Sequence, residues 1–533
     1  MAHDPVPRII ERSRKAWAEK DMWMGTLQDA YQYAFPGRNL YLEASPGQLK
    51  SEVTYDSTLV SSAQRAINQY QTELFPPGED WGMLVPGRLW KALAVSEDEV
   101  TKIQRMLDDV SKICFGMLHS SNFDTAMSEF LADWLISMGT LLANPGQGDR
   151  MIDFCCVPLY QLAFESNAYG HTCAVYRNFS MKMRDIEPTY RKLGFKAPDG
   201  FEKLENDKPD DPIAMMEVTY LDYETERWNY EVIIKAHLPG ASSNFSRVVE
   251  KDYKVCPWIV TPYTKVAGES LGRGPVMQAL PDARVLNKTK ELTLKAASLA
   301  IFPPMMVLDD GVINFSTVKL TPGATIPVAR NDGSLGPSIK PLVTGENFNV
   351  SDLVISDHQA IVRRTMNDDA LPPQSGAVRS ATEYMARMRD GMRNSAPRAR
   401  LLTDFFRPLF QILVNRAEEL GLLGPVMQKH GVNASTIKVD GMFTDIAVTS
   451  PLFQSRNLDR LDAISAALQL TLGLGMEVTA IGLKVEEIPK EVWDSLGLPS
   501  KYVRTEEERN QMQQDAAQVM AAQQQPQPTG APA

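Results

Sequence analysis

Residues 276–300 form a long helical run that a self-contained core cannot absorb. Arg284, Lys288, Glu291 and Lys295 recur at steps of 4, 3 and 4 and so share one polar face, while Ala279, Ala283 and Leu286 lie toward the other. A second, shorter run follows at 351–366, with Ser351 as its expected cap. Helices this polar and alanine-rich do not build a monomeric core, so the chain is expected to assemble into a stable oligomer.

Around these helices the texture divides. Residues 5–35 read as helix through Ile9, Ile10, Ala16, Trp17, Met22, Leu27, Ala30 and Tyr31, up to the break at Pro36-Gly37. Asp56 opens the next helix as an acidic cap; Leu59, Ala63, Ala66, Ile67, Tyr70 and Leu74 form its stripe, and Phe75-Pro76-Pro77-Gly78 stops it. Trp81, Met83 and Leu84 predict a strand. Residues 97–144 read as helical again, capped by Ser96, with a second helix from about Asp124 to Asn144-Pro145-Gly146. Between 151 and 266, short runs such as FCCVPLY and YEVIIKAHL, spaced by Gly, Pro, Asn and Asp, give a β-rich middle. Residues 305–350 are strand-like and punctuated by Gly and Pro. After the polar loop NDDALPPQSGAVR at 367–379, a very long helical pattern runs from Ser380 to about Leu423, in which Pro397 and Pro408 demand a kink or two abutting helices. A short β-like piece at 437–450 precedes a mostly helical 456–520, striped by Leu458, Leu461, Ile464, Leu468 and Leu472 and carrying a capping box at Thr505 and Glu508. The tail from Gln523 is low-complexity and reads as disordered. The fold class is α+β, mainly helical.

Composition narrows the function. With 533 residues, 44% apolar and 23% charged, the chain can bury a substantial core, which excludes fibrous and wholly disordered classes. A net charge of −11 argues against wrapping nucleic acid on a globally basic surface, so any DNA contact is local or weak. No apolar run reaches the ~18 residues of a membrane span and the first residues lack a signal-peptide core, so a soluble intracellular protein is expected. Cys114, Cys155, Cys156, Cys173 and Cys256 form no CxxC pair and read as buried thiols, and the histidines form no metal constellation. No phosphate-binding glycine string is present, so no cofactor is expected. Asp309-Asp310 and Asp368-Asp369 read as turn residues rather than a magnesium pair. Gly268-Glu269-Ser270-Leu271-Gly272 matches a nucleophile elbow, yet only His358 and His430 follow it, and neither an oxyanion loop nor an alternating βαβ pattern accompanies it. It reads as a glycine-hinged entry into a helix with Pro275 in the first turn, and the chain as not an enzyme.

Three strings carry a resemblance: AGESLGRGPVMQALPDARVLNKTKELTLKAASLA at 267–300, SGAVRSATEYMARM at 375–388, and DSTLVSSAQRAINQYQTELFPPGEDWGMLVPG at 56–87. With the order of segments, they resemble the portal (head-to-tail connector) proteins of T7-like short-tailed bacteriophages. The resemblance covers nearly the whole chain, although 185–250 and 425–500 match in texture alone. It implies a dodecameric ring at one capsid vertex, forming the channel through which DNA is packaged and ejected. It implies a portal-type fold: a wing over 1–272 (β-rich at 151–266), a first stem helix at 273–300, a clip at 301–350 and a second stem helix at 351–366. A tunnel loop at 367–380, a long wing helix with wing strands at 381–455, a crown at 456–522 and a disordered tail at 523–533 complete it. The implied partners are other copies of the chain, double-stranded DNA, the packaging terminase, the tail adaptor, and capsid and scaffolding proteins, with no membrane. The implied location is the virion's portal vertex, and the host cytoplasm during assembly. A non-portal phage scaffold or tail-adaptor ring protein is the alternative. Under the resemblance, Arg363, Arg364, Gln374, Ser375 and Arg379 belong to the tunnel loop and the helix leading into it, with Arg379 either touching phosphate or pairing with Glu383. Arg284, Lys288 and Lys295 on the first stem helix face either DNA or neighbouring subunits. A mostly acidic wall with few fixed cations lets a polyanion slide.

Overall fold

The computed structural model describes residues 4–37, 54–87, 89, 97–146, 148–239, 243–301, 305–307, 339–341, 348–368, 401–431, 437–449, 465–467 and 469. In chain order the first elements are α1 (Val6–Asp21), α2 (Met24–Ala34), α3 (Thr58–Leu74), β1 (Gly82–Pro86), α4 (Glu97–His119) and α5 (Phe123–Ile136). The middle holds β2 (Met138–Pro145), β3 (Ile152–Cys156), β4 (Leu162–Ser166), β5 (Thr172–Lys182), α6 (Met183–Tyr190), α7 (Phe201–Asp207), β6 (Pro212–Asp222), β7 (Arg227–Ile234), β8 (Ser246–Tyr253) and β9 (Trp258–Pro262). Then come α8 (Pro275–Ile301), β10 (Met305–Val307), β11 (Ile339–Pro341), α9 (Phe348–Thr365), α10 (Arg407–Glu419), α11 (Leu423–His430) and β12 (Thr444–Val448).

The first helical run is broken at Met22-Trp23 because its halves serve different cores. Ile9, Ile10 and Ala16 of α1 pack on a β-sheet, whereas Leu27, Ala30, Tyr31 and Ala34 of α2 join the main helical core. That sheet has five antiparallel strands in the order β4-β5-β6-β7-β8. Met216, Val218 and Tyr220 of β6 face α1, while Ile213 and Met215 face Met183, Ile186 and Tyr190 of α6 and Phe201 of α7. Because both faces are covered, β6 is buried continuously over 215–220 instead of alternating with solvent.

Residues 138–144, expected as the end of a helix, belong instead to β2. β2 is the central strand of a three-stranded antiparallel sheet, Leu141 pairing with Cys156 of β3 on one side and Ile259 of β9 on the other. Its partner β9 lies more than a hundred residues away, so the local pattern could not reveal it. Gly139 fits only as glycine, since a Cβ there would sit 2.4 Å from the Phe130 ring. Cys155 and Cys156 are half-buried because β3 is an edge strand, and Cys256 is also half-buried; only Cys114 and Cys173 match the buried thiols expected.

The main core is organised around rings. Phe75, at the end of α3, and Trp81, just before β1, lie 5.4 Å apart edge to face, and both meet Phe406, at 5.3 and 5.2 Å. A π-helical turn at Leu402–Phe406 inserts Phe405 and Phe406 into this cluster and leads into α10, with Pro408 in its first turn, where its missing N–H costs little. The expected helix does not run unbroken to Leu423: Gly421, at φ +73°, ends α10 and α11 begins after it. β1 closes the core by pairing antiparallel with β12, Gly82 opposite Val448 and Pro86 opposite Thr444. α9 starts at Phe348, so Ser351 lies within its first turn and is not its cap. Ser96, most of 301–350, 380–400, the tail, and nearly all of 456–520 lie outside the described residues.

Candidate functional site

α8 and α9 pack against each other, and α3 lies across both. The glycine string that opens α8 is a docking joint. Ser137 Oγ, at the end of α5, donates to the carbonyl of Gly272 at 2.7 Å, and the Gly274 N–H donates to the Ile136 carbonyl at 2.8 Å. A Cβ on Gly274 would stand 2.0 Å from the Leu135 carbonyl oxygen, and one on Gly272 2.6 Å from that of Ser137. These glycines therefore let the loop close onto the carbonyl end of α5, satisfying acceptors that a helix terminus leaves open. Arg273 forks onto both oxygens of Glu269 (2.9 and 2.6 Å) and lies over the Trp23 ring. His358 Nδ1 sits 3.1 Å from Asp282 and His430 Nε2 3.1 Å from Asp109; among the described residues neither is hydrogen-bonded to Ser270.

Asp56 ties the three helices together. Its side chain is 4% exposed and accepts from the Thr58 N–H (2.8 Å), Gln359 Nε2 of α9 (3.1 Å) and the ammonium of Lys290 on α8. Burial works to raise the carboxyl's pKa, but Lys290, Thr58 and Gln359 together outweigh it and hold it below the ordinary range. Asn287 Oδ1 accepts from the N–H groups of Tyr55 (2.6 Å) and Asp56 (3.3 Å), fixing the approach of α3 to α8. Asp56 was legible as the acidic opening of α3, although the cap position itself falls on Ser57 and the Asp56 carboxylate reaches the Thr58 N–H from one residue before it. Its link to Lys290 and Gln359 was not, since these lie more than two hundred residues away and Lys290 falls outside the 284-288-291-295 spacing.

Asn367 adopts a left-handed φ of +56° after α9, and the Asp368 N–H returns to the Arg363 carbonyl at 2.9 Å, wrapping the helix end. The Asp368 carboxylate accepts from Ser62 Oγ (2.7 Å) and Arg65 Nη1 (3.4 Å), so α3 holds both the middle and the end of α9. Arg363 and Arg364 are exposed in the last turn of α9, and among the described residues neither makes an ion pair. Gln374, Ser375 and Arg379 lie outside the described residues. On α8, Arg284 pairs with Asp29 of α2, while Lys288 and Lys295 both hold Glu291, whose pKa their hydrogen bonds draw down to about 2. Within the protomer these cations are thus matched by carboxylates.

Among the described residues no group of three or more His, Cys, Asp or Glu could hold a metal ion, and no helix is long and apolar enough to cross a membrane. The family model of the bacteriophage head to tail connecting protein matches residues 6–503. The portal protein of Escherichia phage T7 is 20% identical over 312 residues, covering 56% of this chain and 53% of that protein. That of Enterobacteria phage T3 is 21% identical over 261 residues, covering 47% and 46%. The chain thus spans about half the length of these curated relatives. A chain of the virion of a native gene transfer agent particle aligns with a TM-score of 0.33 at 10% identity, covering 89% of this chain and 93% of that one. Since the family model runs across nearly all of the sequence, the protein belongs to the bacteriophage head to tail connecting protein family.

Proposed function

We propose that the protein is a viral portal: a ring, dodecameric in the virion, that forms the channel at one capsid vertex through which DNA is packaged and ejected. The same ring is the docking point for the packaging terminase and then for the tail. The observation that carries this reading is the family match over residues 6–503, with the T7 and T3 portal proteins among the relatives. In this reading α8 and α9 are the two stem helices, the segment between them is the clip, and residues 367–380 form the tunnel loop. The N-terminal half with the long helix builds the wing, and 456–522 the crown. Consistent with assembly, Val285, Leu292, Leu294, Leu299 and Ile301 of α8 and Leu353 of α9 are exposed apolar side chains in the protomer, an arrangement a neighbouring copy would cover. Arg363 and Arg364 stand at the base of the tunnel loop. There a circlet of few cations, with Arg379 beyond it, would make phosphate contacts weak enough to break as DNA advances. The role is structural, and Ser270 belongs to the joint.

Negative-stain microscopy and mass measurement of the purified chain test the reading. A ring with a central hole is expected, and a single-chain mass at every protein and salt concentration would refute it. In vitro packaging with Arg379→Ala, and separately with residues 372–375 removed, tests the loop. Rings of both variants that package and retain DNA as wild type does would remove its assigned role.

A further inference from the structure

A cavity of about 630 Å³ lies away from the helix pair, between β5, the end of α6 with the turn after it, and the β2–β3 end of the three-stranded sheet. Its size falls in the range of about 300–1,000 Å³ typical of binding sites. Its lining carries Arg177, Arg191 and Lys192 against one carboxylate, Glu217, in a chain whose net charge is −11. Glu217 is buried and saturated, accepting from Arg177 Nη1 (2.9 Å), Tyr190 Oη (2.7 Å) and Tyr230 Oη (2.9 Å). Arg177 is further fixed by Gln161 Oε1 at 3.1 Å from its Nε and by the Phe179 ring 4.4 Å away. The guanidinium is therefore held in place before anything binds, and Arg191 and Lys192 stand exposed at the rim, Arg191 on Glu187 at 3.0 Å and Lys192 donating to the Gly146 carbonyl, surface contacts that a carboxylate from outside can exchange.

The opposite end of the five-stranded sheet carries a shape of complementary character. Glu165 pairs with Ala174, and Ala174 with Tyr220, so the β4–β5 turn (167–171) and the β6–β7 turn (223–226) lie side by side. Tyr169 and Tyr223 on these turns are 88% and 65% exposed. Glu224 and Glu226 beside them are exposed and make no ion pair among the described residues. Rigid aromatic side chains next to exposed carboxylates, with Lys265 packed against Gly170 and Arg227 following Glu226, form a knob of the kind that anchors interfaces. Arg177 lies five residues along β5 from Thr172, about 17 Å at strand rise, so a protomer cannot seat its own knob in its own cavity.

We infer that this knob seats in the cationic cavity of a second copy, Glu224 meeting Arg191 and Lys192 at the rim and a tyrosine ring entering beside Phe179. The contact is heterologous, one surface on each partner, and such contacts generate a closed ring when the rotation closes. It rests on the ring reading above and names the surfaces by which neighbours recognise each other.

The test uses the full chain carrying Lys192→Cys and Glu224→Cys, oxidised after assembly and run on a non-reducing gel. Covalent dimers and higher ladders absent from either single variant are expected. In parallel, Arg191→Glu with Lys192→Glu should raise the concentration at which rings dissociate about tenfold, and adding Glu224→Lys and Glu226→Lys to the same chain should restore it. All four side chains are exposed, and circular dichroism melting checks that each variant is folded. Rings that form normally with no crosslink and unchanged dissociation overturn the inference and leave the ring reading standing. A disulfide confined to single chains also overturns it, as does loss of an acidic partner protein with assembly unaffected. A wild-type chain that never assembles overturns both.

Discussion

Replacing Lys290 by Met tests whether Asp56 is the tie between α3, α8 and α9. The substitution keeps most of the side chain's length and removes its ammonium, leaving Asp56 with the Thr58 N–H and Gln359 as neutral donors. Breaking a fully buried ion pair costs about 3–5 kcal/mol, whereas an exposed pair is worth at most about 1 kcal/mol. Here Asp56 is 4% exposed and Lys290 32%, and two donors remain, which places the loss near 2 kcal/mol. Because a chain of this size does not unfold in a single step, the readout is local hydrogen exchange followed by mass spectrometry. About 2 kcal/mol corresponds to roughly 30-fold faster exchange, expected in residues 54–62, 284–292 and 355–362. The double variant Asp56→Asn with Lys290→Met should recover most of the protection. The sign of the pH dependence is set by the lowered pKa of Asp56. Its stabilising contribution is complete above the ordinary carboxylate range and is lost as pH falls through the lowered value, so the gap between wild type and variant persists at neutral pH and closes in acid well below about pH 4. Exchange in all three segments unchanged within about twofold would refute the argument.

Gly274→Ala should lower the thermal midpoint by several degrees or abolish soluble expression, since its Cβ meets a backbone oxygen, whereas Ser270→Ala should stay within about 0.5 kcal/mol of wild type. Equal melting of the two variants would remove the joint's role. Lys20 is buried with its ammonium on the carbonyls of Leu159 and Tyr160, and burial lowers its pKa to about 7. Between that value and the unfolded pKa near 10 the unfolded chain binds a proton that the folded chain does not, so stability relative to Lys20→Met rises with pH by up to about 1.4 kcal/mol per unit. A difference in local exchange protection of residues 16–24 between wild type and Lys20→Met that stays flat from pH 6.5 to 9 would contradict this. Asp368→Asn should speed exchange at 362–368 several-fold, while Arg65→Met, removing an exposed partner, should have under half that effect.

What the sequence determined by itself follows from local rules. The apolar spacing of α3, the Ala279-Ala283-Leu286 face of α8 and the breaks at Pro36-Gly37 and Pro76-Pro77-Gly78 place helices correctly, because helix periodicity and proline chemistry act over a few residues. The glycine string at 268–274 was legible as a helix entry for the same reason, and three longer strings pointed to the family that the match over 6–503 establishes. Tertiary structure decided the rest. Residues 138–144 read as helix locally and become a strand because β3 and β9 flank them, hydrogen bonds that only chain closure can offer. α1 and α2 separate because two cores compete for one helical run. Gly272 and Gly274 are required by the approach of α5, Asp56 acquires Lys290 and Gln359 only when α8 and α9 are laid across α3, and the Arg177 cavity gathers residues from six separate segments. Spacing along a chain records neighbours within a turn or a strand; electrostatic partners hundreds of residues apart exist only once the core has brought them within a few ångströms and excluded the water that would otherwise screen them.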